Sequence, residues 1–113
     1  MPGIQEVSAQ QFEKILVGGK QPIIADFFTR SCGPCKRVVP MLEELRRKFS
    51  HELIIVRVDV EKEPRLAAKF DVAAVPTLLV FVNGSVCERI VGAVPKKDLL
   101  RMIYENSLLN QPS

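Results

Sequence analysis

The 113-residue sequence has little of what several classes of protein require. It contains three cysteines, of which only two are close together, so it does not resemble the disulfide framework of a small secreted domain. No uninterrupted apolar run reaches the roughly 20 residues that cross a bilayer. The net charge of +3 is small and the basic residues are spread along the chain, which argues against nucleic-acid binding. We therefore expect no membrane segment and no nucleic-acid partner.

The first six residues also lack an export signal, because no basic segment is followed by an apolar stretch and a small-residue cleavage site. We expect a cytoplasmic protein, the alternative being an exported protein whose signal was removed. Hydrophobic residues make up 47% of the chain and charged residues 26%, a balance typical of globular proteins. A chain of this length fits one domain, residues 1–113 with a polar tail at 110–113, and we expect it to be a monomer.

The order of strands and helices predicts an α/β domain. Apolar, strand-like runs at 23–28 and 53–60 are each followed by a helical pattern, and this alternation implies parallel strands joined by crossover helices. Two further strands, 77–82 and 86–91, flank Asn83-Gly84, a dipeptide that favours a tight hairpin. The sheet is therefore predicted to be mixed, with an antiparallel end.

Apolar residues at three- and four-residue spacing predict the helices. The first begins at Ser8, which forms a capping box with Gln11, and stops at Gly18-Gly19. The second begins after Cys32 and contains Pro40, where we predict a kink. The predicted helices cover residues 8–18, 33–49, 64–70 and 95–108.

The residues that carry chemistry are Cys32 and Cys35, three positions apart at the start of the second predicted helix. Cysteines at this spacing lie within one turn, so their sulfurs can approach bonding distance with little backbone movement. The unpaired N–H groups and dipole of a helix N-terminus favour a thiolate, and nearby Arg30, Lys36 and Arg37 favour it further. Cys32 is therefore the predicted nucleophile of a redox-active disulfide.

The residues around the pair suit this chemistry. Pro34 stiffens the first turn without losing a helix hydrogen bond, and Gly33 leaves space for an incoming partner. In thiol-disulfide exchange, Cys32 attacks a partner's disulfide and Cys35 then attacks the mixed disulfide. Asp26 lies within an apolar strand, where burial raises the pKa of a carboxyl group, and we interpret it as the base that deprotonates Cys35.

These motifs extend over nearly the whole chain and resemble those of the thioredoxin family. The residues that carry the resemblance are Asp26-Phe27, Cys32-Gly33-Pro34-Cys35-Lys36, Pro40, Val75-Pro76-Thr77, Asn83-Gly84 and Gly92. The resemblance implies a thioredoxin-like fold, in which a central mixed β-sheet is flanked by α-helices in three layers, α/β/α. It also implies a cis peptide bond at Val75-Pro76, placed opposite the cysteines.

The resemblance further implies how partners bind. In this family the backbone before the cis proline pairs with an extended substrate segment. The implied substrate-binding residues are Ser31, Gly33, Pro34, Val75, Pro76 and Gly92. No bound cofactor or metal is expected besides the redox-active disulfide. The implied substrates are protein disulfides, and the implied electron donor is a thioredoxin reductase, either an NADPH-dependent flavoprotein or a ferredoxin-linked enzyme.

Three positions depart from the family pattern. The family usually has tryptophan just before the first cysteine and at the position of Phe28, whereas this chain has Ser31 and Phe28 and no tryptophan. Ser31 adds a hydroxyl that can hydrogen-bond a sulfur, which would alter substrate choice and reduction potential. Arg57 stands where the family often has lysine, and because arginine stays charged it favours ionised Asp26 against the effect of burial. The sequence leaves the balance of these two effects open.

The same residues allow other interpretations. A zinc half-site at Cys32 and Cys35 lacks a second ligand pair, since His51 and Cys87 stand alone. We interpret Cys87, in the last predicted strand, as a small buried hydrophobic residue. Two alternative functions are a redox-insensitive binding module with a thioredoxin fold and a reductase dedicated to one client.

Overall fold

The strand Ile23–Phe28, whose residues are all buried, lies at the centre of the structure. The computed structural model describes residues 4–105. In chain order the elements are β1 (Gln5–Glu6), α1 (Ala9–Gly18), β2 (Ile23–Phe28), α2 (Gly33–Lys48), β3 (Ile54–Asp59), α3 (Pro64–Lys69), β4 (Thr77–Val82), β5 (Ser85–Val91) and α4 (Lys96–Glu105). The predicted end of the last helix at 108 and the polar tail at 110–113 lie outside the described residues. The interpretation of 1–113 as one domain stays a prediction.

The strands of the described residues form a sheet with the order β1-β3-β2-β4-β5. β1 and β2 both pair in parallel with β3, whereas β4 is antiparallel to β2 and β5 is antiparallel to β4. The predicted mixed sheet with an antiparallel end is therefore confirmed. The sequence does not predict β1, because two exposed residues are too few to show an alternating pattern.

Apolar side chains on the two faces of the sheet form two cores. One core lies between the sheet and helices α2 and α4, and it includes Ile24, Leu42 and Leu99. The other lies between the sheet and helices α1 and α3, and it includes Phe12 and Ala25. Neighbouring side chains of a strand point to opposite faces, so β2 supplies Ile24 to one core and Ala25 to the other. The layers are therefore α/β/α, as the resemblance implies.

The predicted signals for helix ends and turns are found in the structure. The N–H of Gln11 donates to Ser8 Oγ, and the N–H of Ser8 donates to Gln11 Oε1, which completes the capping box. Asn83 and Gly84 have φ values of 53° and 81° and join β4 to β5. α2 runs through Pro40, and the kink there stays a prediction. Within residues 4–105, none of the helices is both long and apolar enough to cross a membrane.

The interpretation of Cys87 as a buried residue is wrong. Its side chain is exposed on β5, which is an edge strand of the sheet. The register between β4 and β5 shifts between Val80 and Phe81, and Cys87 lies opposite this irregularity. Arg89 and Val91, two and four residues further along, are exposed as well. The alternation of side chains along a strand therefore places these residues on one face of β5, but it does not show whether that face is buried or exposed.

Replacing Leu42 by alanine should lower the free energy of unfolding by about 3 kcal/mol, because Leu42 is fully buried between α2 and the sheet and its loss leaves a cavity. Val17→Ala, on the exposed side of α1, should change the free energy of unfolding by no more than about 0.5 kcal/mol. Chemical denaturation of both variants measures the difference. Equal effects of the two substitutions would contradict the packing of α2 against the sheet.

Candidate active site

The two reactive cysteines lie where α2 follows β2. Cys32 is the N-cap residue of α2, and Cys35 lies in its first turn. The two residues form a disulfide, with their Cα atoms 5.2 Å apart. The N–H of Cys35 donates to Cys32 Sγ at 3.0 Å, so this sulfur takes the place of a capping oxygen. After reduction, the same position favours a thiolate at Cys32.

The two sulfurs differ in their access to solvent. Cys35 is fully buried, whereas Cys32 is partly exposed and is flanked by the exposed residues Ser31, Gly33 and Pro34. A partner can therefore reach Cys32 but not Cys35. This difference suits the predicted roles, in which Cys32 attacks the partner and Cys35 attacks the mixed disulfide.

Two other loops meet the cysteines at the same end of the sheet. The peptide bond in Val75-Pro76 is cis, which confirms the implied geometry of this bond. The next residue, Thr77, pairs with Phe27 near the end of β2 and with Val91 at the end of β5. Gly92 then follows with a φ of 96°, and its N–H donates to the carbonyl of the cis proline at 2.8 Å. The strand register thus brings the three loops to one edge.

An open groove lies beside these loops. It has a volume of about 240 Å³ and is lined by Thr29, Val60 and the aliphatic residues of segment 72–75. Thr29 belongs to the loop that leads to Cys32, and the segment ends next to the cis proline. The groove can therefore accept an apolar side chain of a segment bound beside the cysteines.

Asp26 is fully buried in β2, where it pairs in register with Arg57 of β3 and with Leu78 of β4. Arg57 Nε donates to Asp26 Oδ2 at 2.9 Å. Among the described residues, Asp26 Oδ1 has no hydrogen-bond partner. Burial raises the pKa of Asp26, and the hydrogen bond and charge of Arg57 lower it by less. The balance that the sequence leaves open therefore favours a raised pKa.

Phe28 is in contact with two arginines. Its ring is buried, and the guanidinium carbon of Arg57 lies 3.7 Å from the ring centroid. The guanidinium carbon of Arg30 lies 5.4 Å from the same centroid. Both distances fall within the range of favourable cation–π contacts. The ring of Phe28, which is smaller than the family's usual tryptophan, thus contacts both Arg57, the partner of Asp26, and Arg30, in the loop that leads to Cys32.

Arg30 is engaged by carboxylates on two strands. It forms one ion pair with Glu6 of β1, in which Nη2 and Oε1 are 2.6 Å apart, and another with buried Asp59 at the end of β3. One cation thus faces two carboxylates, which offset its charge. Lys36 and Arg37 are exposed on α2, so their charges face solvent as well.

The sequence interpretation misses Glu6 and Asp59 as neighbours of the site. Asp59 has a recognisable signal, because it is a polar residue at the end of a hydrophobic strand, and its Oδ1 also accepts from the N–H groups of Glu61 and Lys62. Glu6 has no such signal, since β1 has two residues. In the part of the chain that the structure describes, no group of three or more His, Cys, Asp or Glu side chains is placed to hold a metal ion.

Comparison with known proteins gives the family. Residues 3–105 match the family model described as Thioredoxin. This chain belongs to the thioredoxin family. It is 36% identical over 106 residues to thioredoxin of Haemophilus influenzae, and the aligned residues make up 94% of this chain and 99% of that protein. It is 37% identical over 101 residues to chloroplastic thioredoxin Y1 of Arabidopsis thaliana, and the aligned residues make up 89% of this chain and 58% of that protein.

A longer relative joins two activities in its name. The bifunctional thioredoxin reductase/thioredoxin of Mycobacterium leprae is 38% identical over 96 residues, which covers 85% of this chain and 21% of that protein. The chain thus spans a little over half of the chloroplast relative's length and about a fifth of the bifunctional protein's length. Family membership and the Cys32–Cys35 disulfide together identify a thiol-disulfide oxidoreductase domain.

The raised pKa of Asp26 predicts how stability depends on pH. A carboxyl whose pKa is higher in the folded state than its unfolded value of about 3.9 stabilises the fold below that value, and this contribution is lost as pH rises through the folded pKa. The free energy of unfolding of the parent, minus that of Asp26→Asn, should therefore fall as pH rises above about 4. Denaturant titrations at a series of pH values measure this difference.

Glu13→Gln, at an exposed carboxylate of α1, controls for the loss of one negative charge in these titrations. If the parent instead gained stability relative to Asp26→Asn as pH rose, the raised pKa of Asp26 would be contradicted.

Proposed function

We propose that this protein reduces disulfide bonds in other proteins through its reversible Cys32–Cys35 disulfide. The observation that carries the proposal is a cysteine pair at the N-terminus of α2 with one partly exposed and one buried member. The separation of 5.2 Å between the Cα atoms allows the bond to open and close with little movement of the backbone. Membership of the thioredoxin family supports the same chemistry.

The proposed reaction moves two electrons to the substrate. The Cys32 thiolate attacks one sulfur of the substrate disulfide, so that a mixed disulfide forms and the other substrate sulfur leaves as a thiolate, which takes a proton from water. The Cys35 thiolate then attacks Cys32 Sγ. The mixed disulfide breaks, the Cys32–Cys35 disulfide forms, and the second substrate sulfur leaves as a thiolate, which takes a proton from water.

We assign to Asp26 the removal of the proton from Cys35. Both residues are fully buried, so bulk water has poor access to the thiol. A carboxylate with a raised pKa is a stronger base than one in water, and burial raises the pKa of Asp26. Because Arg57 occupies Oδ2, Oδ1 is the oxygen proposed to take the proton.

The proposed docking surface surrounds Cys32 and consists of Ser31, Gly33, Pro34, Val75 and Gly92, together with Pro76, which is itself buried. An extended substrate segment would pair with the backbone at Val75, as in other strand-addition complexes. Lys36 and Arg37 add exposed positive charge beside this surface, which favours acidic substrate segments.

The proposed electron donor is a thioredoxin reductase, either an NADPH-dependent flavoprotein or a ferredoxin-linked enzyme. The relative whose name joins a thioredoxin reductase to a thioredoxin supports a partner of this class. We propose that the protein acts as a monomer in the cytoplasm, a compartment in which protein thiols are kept reduced.

An insulin-reduction assay with dithiothreitol as the electron source tests the activity. The parent should accelerate insulin reduction, and Cys32→Ser or Cys35→Ser should lower this acceleration more than about tenfold, because each removes one sulfur of the exchanging pair. Cys87→Ser is the matched control, since Cys87 is an exposed free cysteine outside the pair, and it should retain the parent rate. Equal rates for the parent and Cys32→Ser would contradict the proposal.

Trapping with Cys35→Ser tests which partners the protein reduces. This variant should accumulate mixed disulfides at Cys32, because the second exchange step is blocked. Non-reducing electrophoresis with mass spectrometry identifies the trapped proteins, and the Cys32→Ser, Cys35→Ser double variant is the control. Many trapped proteins would support a general reductase, and a single one a dedicated reductase. Equal capture by the double variant would instead support a redox-insensitive binding module.

A further inference from the structure

We propose that Arg30 is a positioning residue, which holds the cysteine loop, residues 29–32, against β1 and β3 through its ion pairs with Glu6 and Asp59. Arg30 lies two residues before Cys32, and its carboxylate partners belong to two strands outside the loop. The inference deepens the proposed function and rests on it in one respect, namely that Cys32 is the nucleophile.

The guanidinium group of Arg30 is held at several points. Nη2 donates to Glu6 Oε1 at 2.6 Å, and Nη1 is 3.5 Å from Glu6 Oε2. Nη1 also donates to Asp59 Oδ2. A planar guanidinium that binds two carboxylates in this way has a defined direction, which an ammonium group could not reproduce. The contacts therefore restrain the backbone that carries the side chain.

The carboxylate at the end of β3 is itself fixed. The side chain of Asp59 is 4% exposed, and its Oδ1 accepts from the N–H of Glu61 at 2.9 Å and from the N–H of Lys62 at 3.3 Å. Because these bonds occupy Oδ1, the other oxygen is directed at Arg30. The loop is therefore attached to a rigid point of the sheet and not to a mobile surface side chain.

None of the four residues of the cysteine loop is fully buried. Its first neighbour, Phe28, is buried, and its last residue, Cys32, caps α2. Between them, Arg30 and Ser31 are exposed. Inside the loop, the N–H of Cys32 donates to the carbonyl of Thr29 at 3.4 Å, which is long. The ion pairs of Arg30 thus add a restraint that burial of the loop does not supply.

Removing the charge of Glu6 should shift the pKa of the Cys32 thiol in one direction if Arg30 acts by position and in the opposite direction if it acts by its charge. If Arg30 acted by its charge, Glu6→Gln would leave that charge less offset and would lower the pKa of the Cys32 thiol. If Arg30 acts by position, Glu6→Gln releases the loop, weakens the placement of the thiolate at the N-terminus of α2, and raises the pKa of that thiol. The sign of this change therefore decides between the two.

Alkylation of the reduced protein by iodoacetamide, followed as a function of pH in a Cys87→Ser background, measures the pKa and reactivity of Cys32. Arg30→Gln and Glu6→Gln should each raise this pKa and slow alkylation at neutral pH about threefold. The double variant should be no slower than Arg30→Gln, because both substitutions remove one shared contact. Arg30→Lys should recover the rate only in part, since an ammonium group can still pair with a carboxylate but lacks the planar fork that binds two.

The pair Lys69–Glu13 provides matched controls. Lys69 Nζ on α3 lies 2.9 Å from Glu13 Oε1 on α1, and both side chains are exposed. Lys69 Nζ also lies 5.6 Å from the ring centroid of Phe70, so this is a second ion pair beside a phenylalanine. Lys69→Gln and Glu13→Gln should leave alkylation unchanged. Denaturant unfolding of every variant shows that it is folded under the assay conditions.

Faster alkylation in Glu6→Gln, or an unchanged rate in Arg30→Gln, would overturn the positional role of Arg30. Alkylation needs neither a protein substrate nor a reductase. Failure of insulin reduction with the expected alkylation pattern would therefore count against the proposed function alone, whereas normal insulin reduction by the parent with the opposite pattern would count against this inference alone.

Discussion

The ion pair between Asp26 and Arg57 lies between two neighbouring parallel strands, and its residues are directly opposite in the register of β2 and β3. An ionised carboxylate in this buried position is strongly unfavourable without a partner. A slip of one residue between the strands would turn Arg57 to the other face of the sheet. The pair therefore disfavours other registers, and with them other placements of the loops that follow β2 and β3.

Arg57 depends in turn on Phe28. A guanidinium group that is mostly buried needs contacts for its charged face as well as for its N–H groups, and Phe28 supplies that face while Asp26 accepts from Nε. A phenylalanine ring has no polar atom, whereas the indole N–H of a buried tryptophan needs a hydrogen-bond partner. The replacement of tryptophan by phenylalanine thus leaves a ring that two arginines contact without a further polar requirement at this position.

The sequence predicts the features that have a local or periodic signal. These include the strands of six or more residues, the helix starts, the hairpin and the position of the cysteine pair, and the resemblance adds the cis bond. It does not predict the contacts of Arg30 with Glu6 and Asp59, which are 24 and 29 residues away in the chain, because topology and not local pattern brings them together. Cys87 shows a related limit, since alternation defines two faces of an edge strand and not which face is covered.

Two separate groups of charged side chains lie near the cysteine pair, and each is proposed to act on a different cysteine. The buried network of Asp26 and Arg57 is proposed to act on the proton of Cys35, whereas the network of Arg30 with its two carboxylates is proposed to act on the placement of Cys32. Both networks contact Phe28, whose ring can neither accept a proton nor form an ion pair. Within residues 4–105 no side-chain hydrogen bond joins the two networks, so a change of charge in one reaches the other through packing and through space. This separation allows the nucleophile and the buried thiol to be adjusted by different residues.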